Sequence, residues 1–294
     1  MKDYILRAID ETKSARIFIA RTTNMVQEIR DIHGSSATGS AAMGRLATMA
    51  SLMGINLKSD TDTITLKMDG NGIGGKLIAV SDARGHVRVN ATNPKADIGP
   101  NEKGKLDVAS FVGRQGQIGI IRDFGLKEPY TGVSEIVSGE IAEDFANYFF
   151  NSEQTPSVVS LGVLVDTDLS IKAAGGIFIQ LLPGAEESCI AKLEKIIQTL
   201  PAVSTMINQG LTPEDILNQQ FESLNPEVIS TQEVHYECNC NQDRVERALI
   251  SIGKKDLIEL KEEDKGVQIV CDFCKKEYNF NEDYLQELID KSNS

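Results

Sequence analysis

No stretch of this 294-residue chain approaches the roughly 18 consecutive apolar residues of a membrane span, so no membrane partner is expected. Basic residues are scarce, with 30 Lys and Arg against 43 Asp and Glu, for a net charge of −13. A surface of that sign repels phosphate backbones, and non-specific nucleic-acid binding is therefore not expected either. Histidine occurs three times, at scattered positions His33, His86 and His235. Neither a nucleophile elbow nor a His-Glu-X-X-His helix is present, so the reading is of a protein without catalytic residues, not an enzyme. Five cysteines are too few and too clustered for the disulfide framework of a secreted protein. Met1 to Asp10 carry charge on both sides of a short apolar stretch, unlike a leader, which predicts a reducing, cytoplasmic location. In such a compartment clustered thiols point to metal or redox chemistry.

What is present is 41% hydrophobic, enough for a sizeable core, and at 32.1 kDa the chain exceeds the usual single-domain size. Residues 1–182 mix β-like runs with a few helices. The runs are Tyr4 to Ile9, Ala15 to Ala20, Thr63 to Met68, Lys76 to Val80, Val87 to Ala91, Gln117 to Ile121, Val158 to Val165 and Gly176 to Leu182. Helices are expected at Thr23 to Ile32, Ala41 to Leu52 and Glu140 to Asn151, the first stopped by His33-Gly34 and the second by Gly54 through the left-handed ending that glycine favours. Strands in long stretches with clustered helices predict an α+β core domain, not an alternating parallel sheet.

At Pro183 the texture changes. Residues 183–231 hold two basic and seven acidic side chains and read as an acidic helical linker. Cys189, Leu193, Ile196, Ile197 and Leu200 form the stripe of a helix ended by Pro201. Shorter helices are expected at Val203 to Gln209 and at Pro213 to Phe221, the latter capped by Thr212. Ser223 to Glu233, with Pro226 and few large apolar residues, has the composition of an irregular connection. Such a thinly apolar segment is a candidate for conditional unfolding.

Residues 232–294 predict a small zinc-binding domain. Asn241 would cap a helix carrying Val245, Ala248, Leu249 and Ile252 on one face and ended by Gly253. A short helix at Asp256 to Glu262, strands at Val267 to Val270 and Glu277 to Phe280, and a helix capped by Asn281 follow. A unit of about 60 residues is near the size where a metal must supplement the core.

Its thiols fall in two pairs, Cys238 with Cys240 and Cys271 with Cys274, separated by thirty residues. Four thiolates so spaced can close a tetrahedral zinc site, one ion per chain. Cys-X-X-Cys is the common knuckle; Cys-X-Cys is less usual, and in an extended strand its two thiols point the same way. They can then converge on one metal or, once it leaves, on each other. Either pair can close a small strained ring, of the kind found among labile regulatory disulfides, and thiolates are the form that oxidants attack. The residues alone leave two readings open, an inert zinc ribbon and a redox switch.

Other motifs weigh less. Gly70 to Lys76 fits the first positions of a phosphate-binding loop, but Leu77 stands where a Ser or Thr is required and a strand follows where a helix should. A glycine-rich hairpin connection is expected there, and no nucleotide. Cys189 reads as a small buried hydrophobe. His235 lies near the first pair as a substitute ligand, yet four cysteines already fill the shell.

The chain resembles the thirty-three-kilodalton heat-shock protein family over its whole length, through His235 to Cys240, Cys271 to Cys274, Tyr148 to Pro156 and Ala173 to Pro183. The resemblance implies a redox-regulated, ATP-independent holdase chaperone, inactive while reduced and zinc-bound. It implies disulfides of Cys238 with Cys240 and of Cys271 with Cys274 on oxidation, zinc release, unfolding of the zinc unit and linker, and a homodimer. Unfolding client proteins would then be held until ATP-dependent chaperones take them. Cys189 matches no thiol to which the family gives a role. Two rivals differ in class: a zinc-ribbon nucleic-acid module, opposed by nine basic against fifteen acidic residues from Gln232 onward, and a thiol oxidoreductase working through Cys271 and Cys274. The second needs free thiols at a helix N-terminus, and turnover of a disulfide substrate would favour it.

Overall fold

A computed structural model describes residues 1–291 and divides into two compact units, Met1–Glu237 and Cys238–Ser294. The fold is α+β, as expected, with sheets and helices in the first unit and a small cysteine-bearing unit after it.

The first unit is built on two antiparallel five-stranded sheets. One has the order β10-β1-β2-β9-β8, from β1 (Tyr4–Ile9), β2 (Ala15–Arg21), β8 (Ser157–Val165), β9 (Ile171–Leu181) and β10 (Glu227–Glu233). The other has the order β5-β4-β3-β6-β7, from β3 (Thr63–Asp69), β4 (Leu77–Asp82), β5 (Val87–Ala91), β6 (Gln117–Asp123) and β7 (Tyr130–Glu135). Helix α2 (Ala37–Gly54) packs against β4 and β5 of one sheet and β8 and β9 of the other. Apart from Arg45, which pairs with Glu140, its residues are small or apolar on every side and almost all are buried, as a helix without a solvent face requires. Helix α1 (Thr23–His33) buries Thr23 and the stripe Met25, Val26, Ile29 and His33, and ends at Gly34 in the left-handed region, φ 55°.

Three expectations needed correction here. Helix α2 starts at Ala37, four residues early, because Ser36 Oγ accepts the Gly39 amide at 3.0 Å; Ala37 to Ser40 carry no stripe that would mark a helix. Gly54 does end the helix, but in right-handed backbone with Ile55 as the cap. A side chain at Gly54 would run into Ser81 and the Asp82 carbonyl, so close approach to β4, not helix reversal, calls for glycine there. Ser223 to Glu233 is not an irregular connection: residues 227–233 form β10, an edge strand on β1 pairing Tyr4 with Glu233 and Ile9 with Glu227. Its side chains are mostly exposed, including Val228 and Ile229, so the strand is held by the open backbone edge of β1 and leaves little hydrophobic pattern.

Gly70 to Lys76 joins β3 to β4, the glycine-rich hairpin connection that was expected. Its amides are spent on helix α3 (Val108–Val112), Gly72 N–H donating to Val112 O at 3.1 Å and Gly74 N–H to Phe111 O at 2.9 Å. They are not free to cradle a phosphate.

Residues 183–231 supply helices α5 (Glu187–Thr199), α6 (Val203–Asn208) and α7 (Pro213–Gln220) before β10. Thr212 and Asp215 form a capping box with Pro213 in the first turn of α7. The three helices cover one face of the β1-β2-β9 sheet. Cys189, Leu193, Val203, Met206, Ile216, Leu217 and Phe221 meet Leu6, Ile17, Ile19, Ile177 and Ile179 in one cluster. Strand alternation explains the sheet's part: Ile17 and Ile19 point to this face while Phe18 and Ala20 point to the other. The predicted stripe of α5 holds at Cys189, Leu193, Ile196 and Leu200, but Ile197 is exposed. Cys189 is 2% exposed, and burial, followed by the nearby Asp10 carboxylate, pushes its thiol up to about 11.

In the second unit, α8 (Gln242–Ile252) and α9 (Lys254–Glu262) precede the hairpin of β11 (Gly266–Val270) and β12 (Glu277–Asn281) and helix α10 (Glu282–Lys291). Asn241 accepts the Arg244 amide at 2.9 Å and Asn281 that of Tyr284 at 3.0 Å, the two caps the sequence predicts. The core is thin: Leu249, Leu257, Tyr278, Phe280, Leu285, Leu288 and Ile289. Among the described residues no helix is long and apolar enough to cross a membrane.

Candidate metal centre

Cys238 and Cys240 lie on the chain entering α8, and Cys271 and Cys274 on the turn of the β11–β12 hairpin. That turn is held by Cys271 N–H donating to Lys276 O at 2.9 Å and Lys275 N–H to Cys271 O at 2.8 Å, with Lys275 in the left-handed region. The two thiols of the first pair would share a side in an extended strand. The pair sits instead in irregular backbone, pinned where the Arg244 guanidinium donates to Asn239 O at 3.3 Å.

The four thiol sulfurs lie within 4.8 Å of one another. Cys238 Sγ is 3.8 Å from Cys271 Sγ, and Cys240 Sγ 3.2 Å from Cys274 Sγ. Metal–sulfur bonds of about 2.3 Å would place the corners of a tetrahedron about 3.8 Å apart, whereas a disulfide would hold two sulfurs at about 2.05 Å. The first separation matches the tetrahedral edge; the second is shorter by about half an ångström and still far from covalent. The cysteines are free thiols, partly shielded from solvent. The arrangement fits a closed four-coordinate ion and, being all sulfur, selects a soft one.

Two environments divide the set. Burial pushes the Cys238 and Cys274 thiols up, so they resist ionisation without a cation. Burial also opposes ionisation of Cys240, but the Tyr278 hydroxyl, donating to Cys240 Sγ at 3.2 Å, and the neighbouring thiols outweigh it and lower that pKa to about 7. Tyr278 is a residue the sequence reading missed. Its only signal is its place on β12, two residues past the turn that carries Cys271 and Cys274.

Cys271-X-X-Cys274 occupies a hairpin turn and not the first turn of a helix, which removes the dipole that lowers the pKa of catalytic dithiols. His235 is not part of the cysteine set; it groups with His86 and Glu237 in the first unit. There burial, then the adjacent His235, holds His86 below the ordinary histidine value.

A family model described as Hsp33 protein matches residues 3–281. The 33 kDa chaperonin of Alkaliphilus metalliredigens (strain QYMF) is 46% identical over 291 residues, covering 99% of this chain and 100% of that protein. That of Clostridioides difficile (strain 630) is 45% identical over 289 residues, 98% of this chain and 99% of its own. The crystal structure of the 33 kDa chaperonin from Thermotoga maritima, a heat shock protein 33 homolog, superposes with a TM-score of 0.90 at 35% identity, over 100% of both chains.

Proposed function

The chain belongs to the Hsp33 family, and from that membership we propose that it is a redox-regulated, ATP-independent holdase whose four cysteines are both zinc ligands and sensor. The observation that carries the reading is the convergence of four thiols in a unit whose apolar core is too thin to be secure without them. Membership in a chaperone family implies binding of unfolded client proteins.

Cys238, Cys240, Cys271 and Cys274 would hold one zinc in the reduced chain. Bound there, zinc keeps the sulfurs as thiolates and ties the entry to α8 to the β11–β12 turn. Zinc-finger peptides gain about 10–16 kcal/mol of apparent folding free energy from such a site. Two equivalents of a two-electron oxidant of the peroxide class would join Cys238 to Cys240 and Cys271 to Cys274, one for each pair. As each S–S bond forms, its two thiolates give up two electrons, which with two protons split the O–O bond of one peroxide and reduce it to water. Sulfurs so joined no longer carry the charge that holds a cation. Pairing within each loop is supported by the few residues each ring encloses, so it survives loss of the fold, whereas Cys240 with Cys274 requires both loops to stay together.

The working division is a core of 1–182, a conditional segment of 183–231 and a switch unit of 232–294. Docking of α5–α7 over Leu6, Ile17, Ile19, Ile177 and Ile179 supports a client surface that is covered while the segment is folded. Its seven acidic residues would keep the opened segment soluble. Homodimer formation on oxidation and hand-over of clients to ATP-dependent chaperones complete the reading, in the cytoplasm and without nucleic acid or membrane. The test is suppression of aggregation of an unfolding client, without nucleotide, by reduced, oxidised and re-reduced zinc-loaded protein. Activity confined to the oxidised sample supports the proposal; equal activity in all three sinks it.

A further inference from the structure

A second group of metal-ligating side chains lies in the first unit, apart from the cysteines in composition and chemistry. His86 ends the turn between β4 and β5, and His235 and Glu237 follow β10. The backbone brings them together. Val87 N–H donates to His235 O at 3.1 Å and Glu237 N–H to Val87 O at 2.9 Å, forming a parallel bridge between Val87 and Tyr236. In an extended segment alternate side chains share a side, so His235 and Glu237 face one way while Tyr236 is buried on the other. On the hairpin, His86 N–H donates to Asp82 Oδ1 at 3.0 Å, which fixes the turn that presents the imidazole.

One ligand atom from each of His86, His235 and Glu237 lies within 4.8 Å of the others. Glu237 Oε2 is 2.8 Å from His86 Nδ1 and 3.4 Å from His235 Nε2. Ligands about 2.1 Å from a zinc-sized ion stand about 3.0 Å apart at right angles and about 3.4 Å apart in a tetrahedron. The two separations thus bracket what one shared cation imposes. The second, independent sign is His86 Nδ1 itself. It is shielded from solvent and makes no hydrogen bond, although the Glu237 carboxylate is within reach. A buried ring nitrogen 2.8 Å from a carboxylate oxygen that makes no hydrogen bond to it is aligned off the line between them, as two ligands of one ion are and a donor and acceptor are not.

We propose that His86, His235 and Glu237 form a second metal site, for one divalent ion of the zinc class, which fastens the chain at 234–237 to the β4–β5 hairpin. Two imidazoles and one carboxylate are the donor set of sites that keep a position open. His235 and Glu237 are exposed, so that position faces solvent and the ion exchanges readily. Asp82 Oδ2 lies 3.7 Å from His86 Nδ1. Arg84 lies 2.8 Å from the Asp82 carboxylate and 3.6 Å from Glu237. Its positive charge keeps the site weaker than a four-thiolate centre. The ligands are unlike those of the cysteine centre, so in the reduced protein the two sites are separable: this one needs no thiol.

The experiment uses the full-length reduced protein with its tight site already filled by zinc. Equilibrium dialysis against free zinc, followed by elemental analysis, should show a second, weaker equivalent. Replacing free zinc by Co²⁺ should add ligand-field absorption without the thiolate charge-transfer bands that cobalt at cysteine would give. His235→Ala, a change at an exposed side chain, should lower the affinity of the second equivalent at least tenfold and leave the first untouched, and Glu237→Gln should do the same. A single equivalent in the wild-type protein, or a second bound equally well by His235→Ala, would overturn the proposal and leave these residues as an ordinary histidine–carboxylate contact.

Discussion

Tyr278 Oη donates to Cys240 Sγ across 3.2 Å, linking β12 to the loop before α8 through a residue that is not itself a ligand. Partners of this kind orient a ligand and tune its basicity. Tyr278→Phe keeps the ring in the core and removes only the hydroxyl. Its zinc affinity should fall by about tenfold, at the lower end of what loss of such a partner costs. Competition with a chromophoric chelator measures it; an unchanged affinity would mean that the hydroxyl is a bystander.

Cys238→Ser and Cys274→Ser each remove one corner of the sulfur tetrahedron. Either should abolish stoichiometric zinc binding, and hydrogen exchange at Leu257 and Leu285, both fully buried, should rise to the level of a fluctuating chain. Strands β2 and β9 in the first unit should keep their protection. Wild-type stripped of zinc by a chelator should behave like the variants. Full protection at Leu257 without metal would show that the small core stands on its own.

Asp144, fully buried in the first turn of α4 (Ala142–Asn151), accepts the amides of Val137 at 2.9 Å and Ser138 at 2.8 Å on one oxygen and that of Ile141 at 2.8 Å on the other. These bonds hold Ile141 at φ 72°, a conformation that β-branched residues avoid. Asp144→Ala strands several buried donors at once, and with about 1–3 kcal/mol lost for each unsatisfied group the first unit should lose about 3 kcal/mol or more. Urea unfolding reads this directly. A loss no larger than that of an ordinary surface substitution would show that water replaces the carboxylate.

Legibility followed the physics of each segment. Strands such as β1 and β5 were readable to the residue because apolar residues, interrupted only by Arg7 in β1 and alternating with Arg88 and Asn90 in β5, are bounded by turn signals. The cysteine set was readable because spacing alone restricts where two pairs of thiols can meet. Elements that draw on a neighbour left no trace: β10 is held by the edge of β1, β7 is mostly exposed, and five-residue α3 is too short to show a period. Tyr278 and the His86 cluster were hidden for a related reason. A hydrogen bond to a ligand, or an imidazole brought from 149 residues away, has no pattern in the local sequence.

Phe221 decides whether residues 183–231 act as a removable cover. It is fully buried at the end of α7, in the cluster with Leu6, Ile17 and Ile19, and its amide closes the helix on Leu217 O. Phe221→Ala leaves a cavity worth about 3–5 kcal/mol in a well-packed site. Because α7 also meets β1 and β2, that loss falls on the docking of the segment and not on α2 or the second sheet. The variant should therefore be cut within residues 183–231 by dilute protease while still reduced and zinc-loaded, with zinc content unchanged. If covering is what silences the chaperone, the reduced variant should also suppress client aggregation where the reduced wild type does not. Susceptibility to protease without any gain in activity would separate the two events. The uncovered sheet face would then not be the client surface, and the exposed surface of the oxidised cysteine unit would have to supply it.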